Sequence, residues 1–267
     1  MGAFGPARAT GDDRTGTRRV AGRGPAPVPL TRPVRLTIVG CSGSVPGPVS
    51  GGSCYLVESG EHRLLLDLGS GSIGVLQRYT GAAQIDTIVL SHSHTDHCGD
   101  LDQFGYLRTL EPTPPVRVVG PPDLEPYVWN TPEVFAAAPA TPEPFTVGSM
   151  TVRLAAVEHA RECWAARIGD ALCYTADSAP CPALEELADG CRVLLAEASG
   201  SDVDGPLPGH LTAGDAARLA ARSGARLLVL THLRPWQDHG ALLDEAAAIA
   251  GCPVVLAHPG LRVSLMP

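Results

Sequence analysis

The chain has 267 residues, which is enough for one large domain or two small ones with a sizeable buried core. Hydrophobic residues make up 44% of the sequence and charged residues 18%, a balance that excludes a fibrous or wholly disordered protein. The formal net charge is −8, although residues 1–33 carry six Arg against two Asp, so the rest of the chain is markedly acidic. An acidic body disfavours nucleic acid as a partner and favours a small substrate.

Residues 1–33 are rich in Gly, Pro, Arg and Thr and nearly lack bulky apolar side chains. Such a segment cannot bury enough surface to offset its chain entropy, so we expect a disordered tail; a basic arm for nucleic acid or anionic lipid is the alternative. Residues 34–267 are expected to form the folded domain. We find no stretch of about 18 apolar residues, no signal peptide and no CxxC pair among the eight cysteines. We therefore expect a cytoplasmic protein with reduced thiols and no membrane contact.

From residue 34 onward, short apolar runs are separated by turn residues, a pattern typical of strands. The predicted strands are 34–39, 53–58, 63–68, 87–90, 116–119, 151–157, 164–168, 171–175, 193–196, 227–230 and 254–257. The predicted helices are 72–79, 101–109, 182–188, 212–223 and 241–250, the fourth with Thr212 as its N-cap and Gly224 at its end. Strand pairs come first and strands then alternate with helices, which predicts an α/β protein with two sheets covered by helices. The proline-rich stretch 111–144 favours an irregular surface loop or a cover over the substrate.

The strongest chemical signal is the segment Ser91-His92-Ser93-His94-Thr95-Asp96-His97, which follows the apolar run 87–90. Three imidazoles and one carboxylate fall within six residues at the end of a strand. Extended backbone places His92 and His94 on one side, and a turn then brings Asp96 and His97 to a second centre. Imidazole and carboxylate suit Zn²⁺, and also Mn²⁺ or Fe²⁺, so the segment predicts a metal site rather than a solvated polar loop.

This HxHxDH segment resembles the motif of the metallo-β-lactamase superfamily. The chain has a candidate for each remaining ligand of that family, in order and after a strand; the candidates are His159, Asp177 and His232. Taken singly, each has an alternative interpretation as a capping or core-edge polar residue. The resemblance covers about residues 34–265 and implies an αββα sandwich with a dinuclear metal site at one edge.

The resemblance also implies a role for each ligand. One divalent ion would take His92, His94 and His159, the second would take Asp96, His97 and His232, and Asp177 would bridge them. A water or hydroxide between the ions would be the nucleophile, because two cations about 3.5–4 Å apart lower its pKa and stabilise the attacking and leaving oxygens. Asp96 is therefore expected to serve catalysis as well as metal binding, and Zn²⁺ is the expected metal. Asp67 matches a family aspartate beneath the site that would orient a ligand histidine; a turn-forming role before Gly69 is its alternative.

Within the superfamily the chain is most similar to the ribonuclease Z-like branch. Gly40-Cys41-Ser42-Gly43-Ser44-Val45-Pro46 matches a glycine-rich turn of that branch, while Glu197-Ala198-Ser199 and His210-Leu211-Thr212 resemble its catalytic Glu and His pair. By that likeness His210 protonates the leaving oxygen, and Glu197 holds the imidazole in the productive tautomer and raises its basicity. The alternatives are a helix N-terminal residue for His210 and a strand-end carboxylate for Glu197.

One departure from that branch bears on the substrate. Ribonuclease Z proteins that process tRNA carry a long arm between the third histidine and the bridging aspartate, whereas 17 residues separate His159 from Asp177 here. Together with the acidic body, this disfavours tRNA and favours a small phosphodiester. Several segments, including Thr231-His232-Leu233-Arg234-Pro235-Trp236, look most like actinobacterial cyclic-nucleotide phosphodiesterases of this branch.

We therefore expect a dinuclear metal-dependent phosphodiesterase that opens a cyclic nucleotide such as cAMP, or another small cyclic phosphodiester, and that forms a homodimer. The alternatives are a thioester or lactone hydrolase of the same fold, a tRNA 3′-processing endonuclease, and a non-hydrolytic metal-binding protein. Lesser candidates are the turn Gly69-Ser70-Gly71-Ser72 for phosphate binding, and Trp236, Trp129 and Tyr127 for stacking on a base. A plain turn and packing in the core or a cover are their respective alternatives.

Overall fold

The computed structural model describes residues 29, 31–111, 113–124 and 131–265, which contain two seven-stranded sheets. The predicted tail lies outside the described residues except for 29 and 31–33. One sheet contains β1 (Val34–Gly40), β2 (Cys54–Ser59), β3 (His62–Leu66), β4 (Thr87–Val89), β5 (Val116–Gly120), β6 (Phe135–Pro139) and β14 (Arg262–Leu265). The other contains β7 (Phe145–Val147), β8 (Met150–Val157), β9 (Cys163–Ile168), β10 (Leu172–Tyr174), β11 (Val193–Glu197), β12 (Leu227–Thr231) and β13 (Val254–Leu256). The helices of the described residues are α1 (Ile73–Leu76), α2 (Thr95–Cys98), α3 (Leu101–Thr109), α4 (Pro182–Ala188), α5 (Ala213–Ser223) and α6 (His239–Ile249).

Both sheets are mixed. The first has the order β14-β1-β2-β3-β4-β5-β6, with antiparallel neighbours as far as β3 and parallel neighbours beyond it. The second has the order β13-β12-β11-β10-β9-β8-β7, with parallel neighbours from β13 to β10 and antiparallel neighbours beyond. In the described residues, no helix is long and apolar enough to cross a membrane.

Successive side chains of the central strands enter different cores. Leu64 and Leu66 of β3 pack into the core between the two sheets, whereas Leu65 packs into a core that contains Phe104 of α3. On the second sheet, Leu194 packs into a third core with residues of α4, α5 and α6. Because these strands are buried on both faces, their sequences are continuous apolar runs rather than alternating ones. The layers are helix, sheet, sheet and helix, which confirms the expected αββα sandwich.

Most predicted elements are present, with ends that differ by one or two residues. α3 and α4 have the predicted bounds, and α1 is shorter than the predicted helix 72–79. α5 begins after Thr212, whose side chain accepts a hydrogen bond from the backbone N–H of Asp215, while the Asp215 carboxylate accepts one from the N–H of Thr212. Gly224 ends α5 with φ of 70°, the left-handed conformation that glycine adopts without strain.

The prediction of an irregular loop over 111–144 was wrong for part of that stretch. Residues Phe135–Pro139 form β6, which pairs in parallel with β5 at the edge of the first sheet. Proline has no backbone N–H to donate. An edge strand tolerates Pro139 because only one side of the strand must pair with a neighbour. β7 and β14 were not predicted either, and both are short strands at sheet edges. Residues 112 and 125–130 of this stretch, which include Tyr127 and Trp129, lie outside the described residues.

The carboxyl ends of β3, β4, β8, β10, β11 and β12 lie at one edge of the sandwich, where the loops that follow them meet. Within the described residues, four non-glycine residues have positive φ: Ser44, Asp67, Ala176 and His232. All four belong to this edge, three of them directly after a strand or next to a predicted ligand. Left-handed backbone costs such residues about 1–3 kcal/mol each and persists where surrounding structure enforces it, which is common at functional sites.

Two glycines allow the loops at this edge to approach one another closely. A Cβ atom on Gly69 or on Gly52 would overlap the backbone carbonyl of Asp96. That carbonyl also accepts a hydrogen bond of 2.8 Å from the N–H of Ser53. The backbone of α2, which carries Asp96 and His97, is therefore held directly against the turn that follows β3.

We predict that Gly69→Ala lowers the thermal midpoint by several degrees, because the clash is with backbone, which has no rotamer to change. Overpacking of this kind typically costs about 1–3 kcal/mol. Gly74→Ala is the matched control, since its Cβ would meet nothing within 4 Å and alanine favours the helix α1. Thermal and denaturant unfolding of both variants tests this; equal midpoints would contradict the close approach.

Candidate active site

Three histidine side chains converge at the edge of the sandwich. His92 and His94 follow β4, and His159 follows β8. Nε2 of His92 lies 2.9 Å from Nδ1 of His94, which in turn lies 3.2 Å from Nε2 of His159. An oxygen of Asp177, after β10, lies 3.8 Å from Nε2 of His92. We refer to His92, His94 and His159 as the first ligand group.

A second group lies on the other side of Asp177. Asp96 and His97 lie in the short helix α2, and His232 follows β12. Oδ2 of Asp96 lies 3.1 Å from Nε2 of His232 and 3.6 Å from Nε2 of His97. The two oxygens of Asp177 lie 3.3 Å from the same two nitrogens. We refer to Asp96, His97 and His232 as the second ligand group; Asp177 contacts both groups.

The orientation of the rings fits metal binding. The Nδ1–H of His92 donates to Ser91 Oγ at 3.0 Å, and that of His97 donates to Asp67 at 2.8 Å. The same atom of His159 donates to the carbonyl of Gly209 at 2.8 Å, and that of His232 donates to Ser199 Oγ at 2.8 Å. Each of these four imidazoles therefore presents its Nε2 atom to the centre, as a ligand histidine does when its other nitrogen is anchored.

Two buried polar atoms in this centre lie 3.3 Å apart, but neither makes a hydrogen bond of acceptable geometry among the described residues. They are Nε2 of His97 and Oδ1 of Asp177. A buried polar atom without a partner is costly, so such atoms need an explanation. A divalent cation between lone pairs of nitrogen and oxygen would satisfy both, and imidazole with carboxylate is a donor set typical of zinc. The residues present therefore fit the metal site that the sequence predicts.

The charged groups of the centre shift one another's pKa values. Burial alone would raise the pKa of Asp177, but the rings of His232 and His97 hold it well below its ordinary value. Burial alone would lower the pKa of His97, but Asp177 and Asp67 raise it well above its ordinary value. Burial and the ring of His97 lower the pKa of His92, so that this ring stays neutral, as a metal ligand must be.

Asp67 lies beneath the centre as a fully buried hydrogen-bond acceptor. Its carboxylate accepts from the N–H of Ser91 at 2.7 Å, from Ser91 Oγ at 2.9 Å and from the hydroxyl of Tyr174 at 2.7 Å, besides the ring of His97. Four hydrogen bonds to one carboxylate fix its position and orientation. The contact with His97 determines which nitrogen of that ring faces the second ligand group.

His210 and Glu197 form a hydrogen-bonded pair beside the ligands. Nδ1–H of His210 donates to Oε2 of Glu197 at 2.8 Å, and this nitrogen lies 3.8 Å from Asp177. Glu197 also accepts from the N–H of Ser178 at 2.6 Å and from Ser199 Oγ at 2.5 Å. Burial alone would lower the pKa of His210, but the hydrogen bond and charge of Glu197 raise it. The Nε2 atom of His210 is left to act in the cleft.

These side chains line a cleft of about 560 Å³, a size that suits a small-molecule ligand. The lining residues are Ser44, Ser93, His94, Thr95, Asp96, Asp123, Arg161, Asp177, His210 and His232. Ser44 lies in the predicted glycine-rich turn, and its N–H donates to Oδ2 of Asp96 at 2.7 Å. The structure thus brings together the sequence-predicted site residues: the seven predicted ligands, Glu197 and His210 form overlapping groups, and Asp67 contacts His97 beneath them.

The sequence analysis missed several residues of the site. Ser199 links His232 to Glu197, and its position two residues after the predicted Glu197 was the available signal. Arg161 lies two residues after His159, whereas nothing in the sequence marks Asp123. Both line the cleft.

The weaker candidates have other environments. In the turn Gly69-Ser70-Gly71-Ser72, the N–H of Gly71 and the following N–H of Ile73 already donate to the Asp100 carboxylate at 3.0 and 2.8 Å. This supports the alternative of a plain turn rather than a phosphate site. Trp236 is 65% exposed and does not line the cleft.

Comparison with known proteins agrees with this geometry. The β-lactamase superfamily domain family matches residues 62–233 of the chain. Uncharacterized protein Rv1339 of Mycobacterium tuberculosis is 36% identical over 242 residues, which cover 83% of this chain and 88% of that protein. The probable metallo-hydrolase YhfI of Bacillus subtilis is 30% identical over 240 residues, covering 85% and 98% of the two chains.

Ribonuclease Z of Mycobacterium avium is 28% identical over 247 residues, covering 76% of this chain and 86% of that one. The crystal structure of YhfI superposes with a TM-score of 0.82 at 29% identity, over 88% of this chain and 100% of that chain. A diphosphatase of the PhnP family shares the fold, with a TM-score of 0.73 at 21% identity over 86% and 97% of the two chains. The chain therefore belongs to the metallo-β-lactamase superfamily and is a metallo-hydrolase of that fold.

Proposed function

We propose that the chain is a phosphodiesterase that opens a small cyclic phosphodiester, such as a 3′,5′-cyclic nucleotide, to a phosphomonoester. The observation that carries this proposal is the His210–Glu197 pair, held beside Asp177 at the wall of the cleft. Hydrolysis of a thioester by the same ligands has less need of a dedicated proton donor, because a thiolate leaves readily, whereas an alkoxide leaving from phosphorus is a poor leaving group without one.

The first and second ligand groups would each hold one divalent cation, and Asp177 lies beside both groups; zinc is the metal that these donors favour. When bound, such cations lower the pKa of a water molecule and stabilise the oxygens around phosphorus. The resident side chains keep their lone pairs directed at the centre, because Ser91, Asp67, Gly209 and Ser199 anchor the opposite ring nitrogens.

Proton transfer is the work of His210 in this proposal. Water adds to phosphorus and gives up one proton to solvent, the bond from phosphorus to one ring oxygen breaks, and Nε2–H of His210 delivers a proton to that oxygen. The neutral imidazole then takes up a proton from solvent, so that the net reaction consumes one water molecule. Glu197 fixes the tautomer through Nδ1 and stabilises the imidazolium, which raises its pKa. Glu197 is held in turn by Ser178 and Ser199, so the imidazole has one orientation.

A small substrate is also supported by the segment between His159 and Asp177. There the chain forms only β9 and β10, joined by a tight turn at Gly169, and no arm extends from it. The similarity to ribonuclease Z therefore does not extend to a tRNA-gripping element in this segment, and the acidic chain has no compensating excess of basic residues.

We predict that the purified protein binds two divalent ions per chain after reconstitution with zinc, since seven donors exceed the four that one tetrahedral zinc ion uses. Asp177→Ala should lose the second ion preferentially, because removing the shared carboxylate leaves each group with three side chains, one fewer than tetrahedral zinc uses. Elemental analysis with chelator competition measures both; Asp86→Ala, which removes a surface carboxylate paired with His62, is the control. At most one ion in the parent protein, or unchanged stoichiometry in Asp177→Ala, would contradict the assignment.

We predict that His210→Ala lowers turnover of a cyclic nucleotide far more than turnover of bis-p-nitrophenyl phosphate. General acid catalysis contributes about 10²–10⁴-fold when the leaving group is an alkoxide, and p-nitrophenolate needs much less help. Glu197→Gln should show a weaker form of the same asymmetry, and His62→Ala serves as an exposed-histidine control. Steady-state kinetics with full metal loading decides it: equal losses on both substrates would instead indicate that His210 positions the phosphate.

The pH dependence provides a further expectation. A raised pKa keeps His210 protonated to higher pH, so the rate on a cyclic nucleotide should fall only as the pH rises through that raised value. Glu197→Gln removes the cause of the shift and should move this alkaline limb to lower pH. The measurement is the pH profile of kcat/KM for the cyclic nucleotide, recorded with the parent protein and with Glu197→Gln. If the alkaline limb lies at the same pH in both proteins, His210 is not its origin.

A further inference from the structure

Three polar side chains at the mouth of the cleft take no part in the two ligand groups. Ser93 Oγ donates to Oδ2 of Asp123 at 2.5 Å and accepts from Nη1 of Arg161 at 3.0 Å, while Nη1 and Oδ2 lie 3.5 Å apart. We refer to Ser93, Asp123 and Arg161 as the rim cluster. All three line the cleft together with the ligands.

The rim cluster is fixed relative to the metal centre by its place in the chain. Ser93 is buried and lies between His92 and His94, so its backbone moves with the first ligand group. Arg161 follows His159 by two residues, and Asp123 lies in a short 3₁₀ helix (Pro122–Leu124) after β5. The cluster therefore joins loops from both sheets across the mouth of the cleft.

Part of the hydrogen-bonding capacity of the cluster is unused. Among the described residues, Arg161 makes contacts only through Nη1 and Asp123 only through Oδ2. Nε and Nη2 of the guanidinium remain as donors, and Oδ1 of the carboxylate remains as an acceptor. The side chains are 50% and 39% exposed, so a ligand in the cleft can reach them.

The Arg161 guanidinium is a donor and lies beside the Asp123 carboxylate, an acceptor, so the pair favours ligand groups that offer the complementary pattern. A second phosphate of a substrate would match the guanidinium but would be repelled by the carboxylate next to it. The hydrogen-bonding edge of a nucleobase carries an acceptor beside a donor, which is the complement of this pair. A simple aryl diester has no such edge.

We propose that the rim cluster is a nucleobase subsite, in which Arg161 and Asp123 hydrogen-bond to the edge of the base while the phosphodiester lies at the two ligand groups. This inference rests on the proposed function and narrows the substrate class to nucleotides with a single phosphate. Ser93 positions the two charged side chains and connects them to the strand end that carries the ligands.

Kinetics with two matched substrates tests the subsite. The substrates are 3′,5′-cAMP and the cyclic phosphate of propane-1,3-diol, which has the same six-membered ring and no base. We expect Asp123→Asn and Arg161→Gln each to raise KM for cAMP. This increase should exceed any increase in KM for the base-free ring by at least about 10-fold, and kcat should change much less. Arg222→Gln, which removes an exposed arginine paired with Glu185 on the outer helices, is the control. Equal effects on both substrates would overturn the proposal.

Binding of products separates this inference from the proposed function. Calorimetric titration of the zinc-loaded protein should show that AMP binds about 10-fold tighter than ribose 5-phosphate, and that Asp123→Asn abolishes this preference. If the parent protein opens neither cyclic phosphate, the proposed function fails, and the AMP preference still decides the subsite. Tighter binding of ADP than of AMP that depends on Arg161 would assign this arginine to a second phosphate and overturn the nucleobase subsite.

Discussion

The carboxylate of Asp177 is buried between the imidazoles of His92, His97 and His232, with His210 just beyond them. His92 and His97 come from the segment after β4, His232 follows β12 and His210 precedes α5, so this one carboxylate contacts three separate parts of the sandwich. Asp177 is itself placed by Ala176, which has a left-handed backbone and turns the chain sharply after β10. A buried carboxylate is unstable unless opposite charges lie beside it. The rings of His232 and His97 have this role, and they hold the pKa of Asp177 below its ordinary value.

The close approach of the loops at this edge strains the backbone. Four non-glycine residues at the edge adopt positive φ, and two glycines are required where the backbone of α2 meets the turn after β3. The three apolar cores lie between the sheets and on their outer faces, and their central strands are continuous aliphatic runs. This division lets the cores supply the stability while the strand ends hold strained backbone and buried charge.

The sequence made the sandwich and most of the site predictable for physical reasons. Strands buried on both faces appear as uninterrupted apolar runs, and ligand-type side chains directly after them are rare enough to be noticed, as at His92 or Asp177. Thr212 and Gly224 predicted α5 because capping chemistry is local. β6 escaped prediction because alanines and a proline give a weak strand signal, and only pairing with β5 makes it a strand. Asp123 escaped because its contacts with Ser93 and Arg161 are long-range and leave no pattern in the sequence.

The distribution of charge around the cleft couples metal binding to substrate binding. Asp67, Asp177 and Glu197 are buried carboxylates: Asp67 and Glu197 accept hydrogen bonds from Tyr174 and Ser178, and the rings of His232 and His97 hold the pKa of Asp177 well below its ordinary value. Arg161 is the one arginine among the described lining residues, and Asp123 neutralises it. In the proposed function, attraction for an anionic phosphodiester would come from cations held in the ligand groups, because the carboxylates that line the cleft outnumber its one arginine. The same carboxylates that would repel the substrate from the metal-free protein are those that draw the metal ions in.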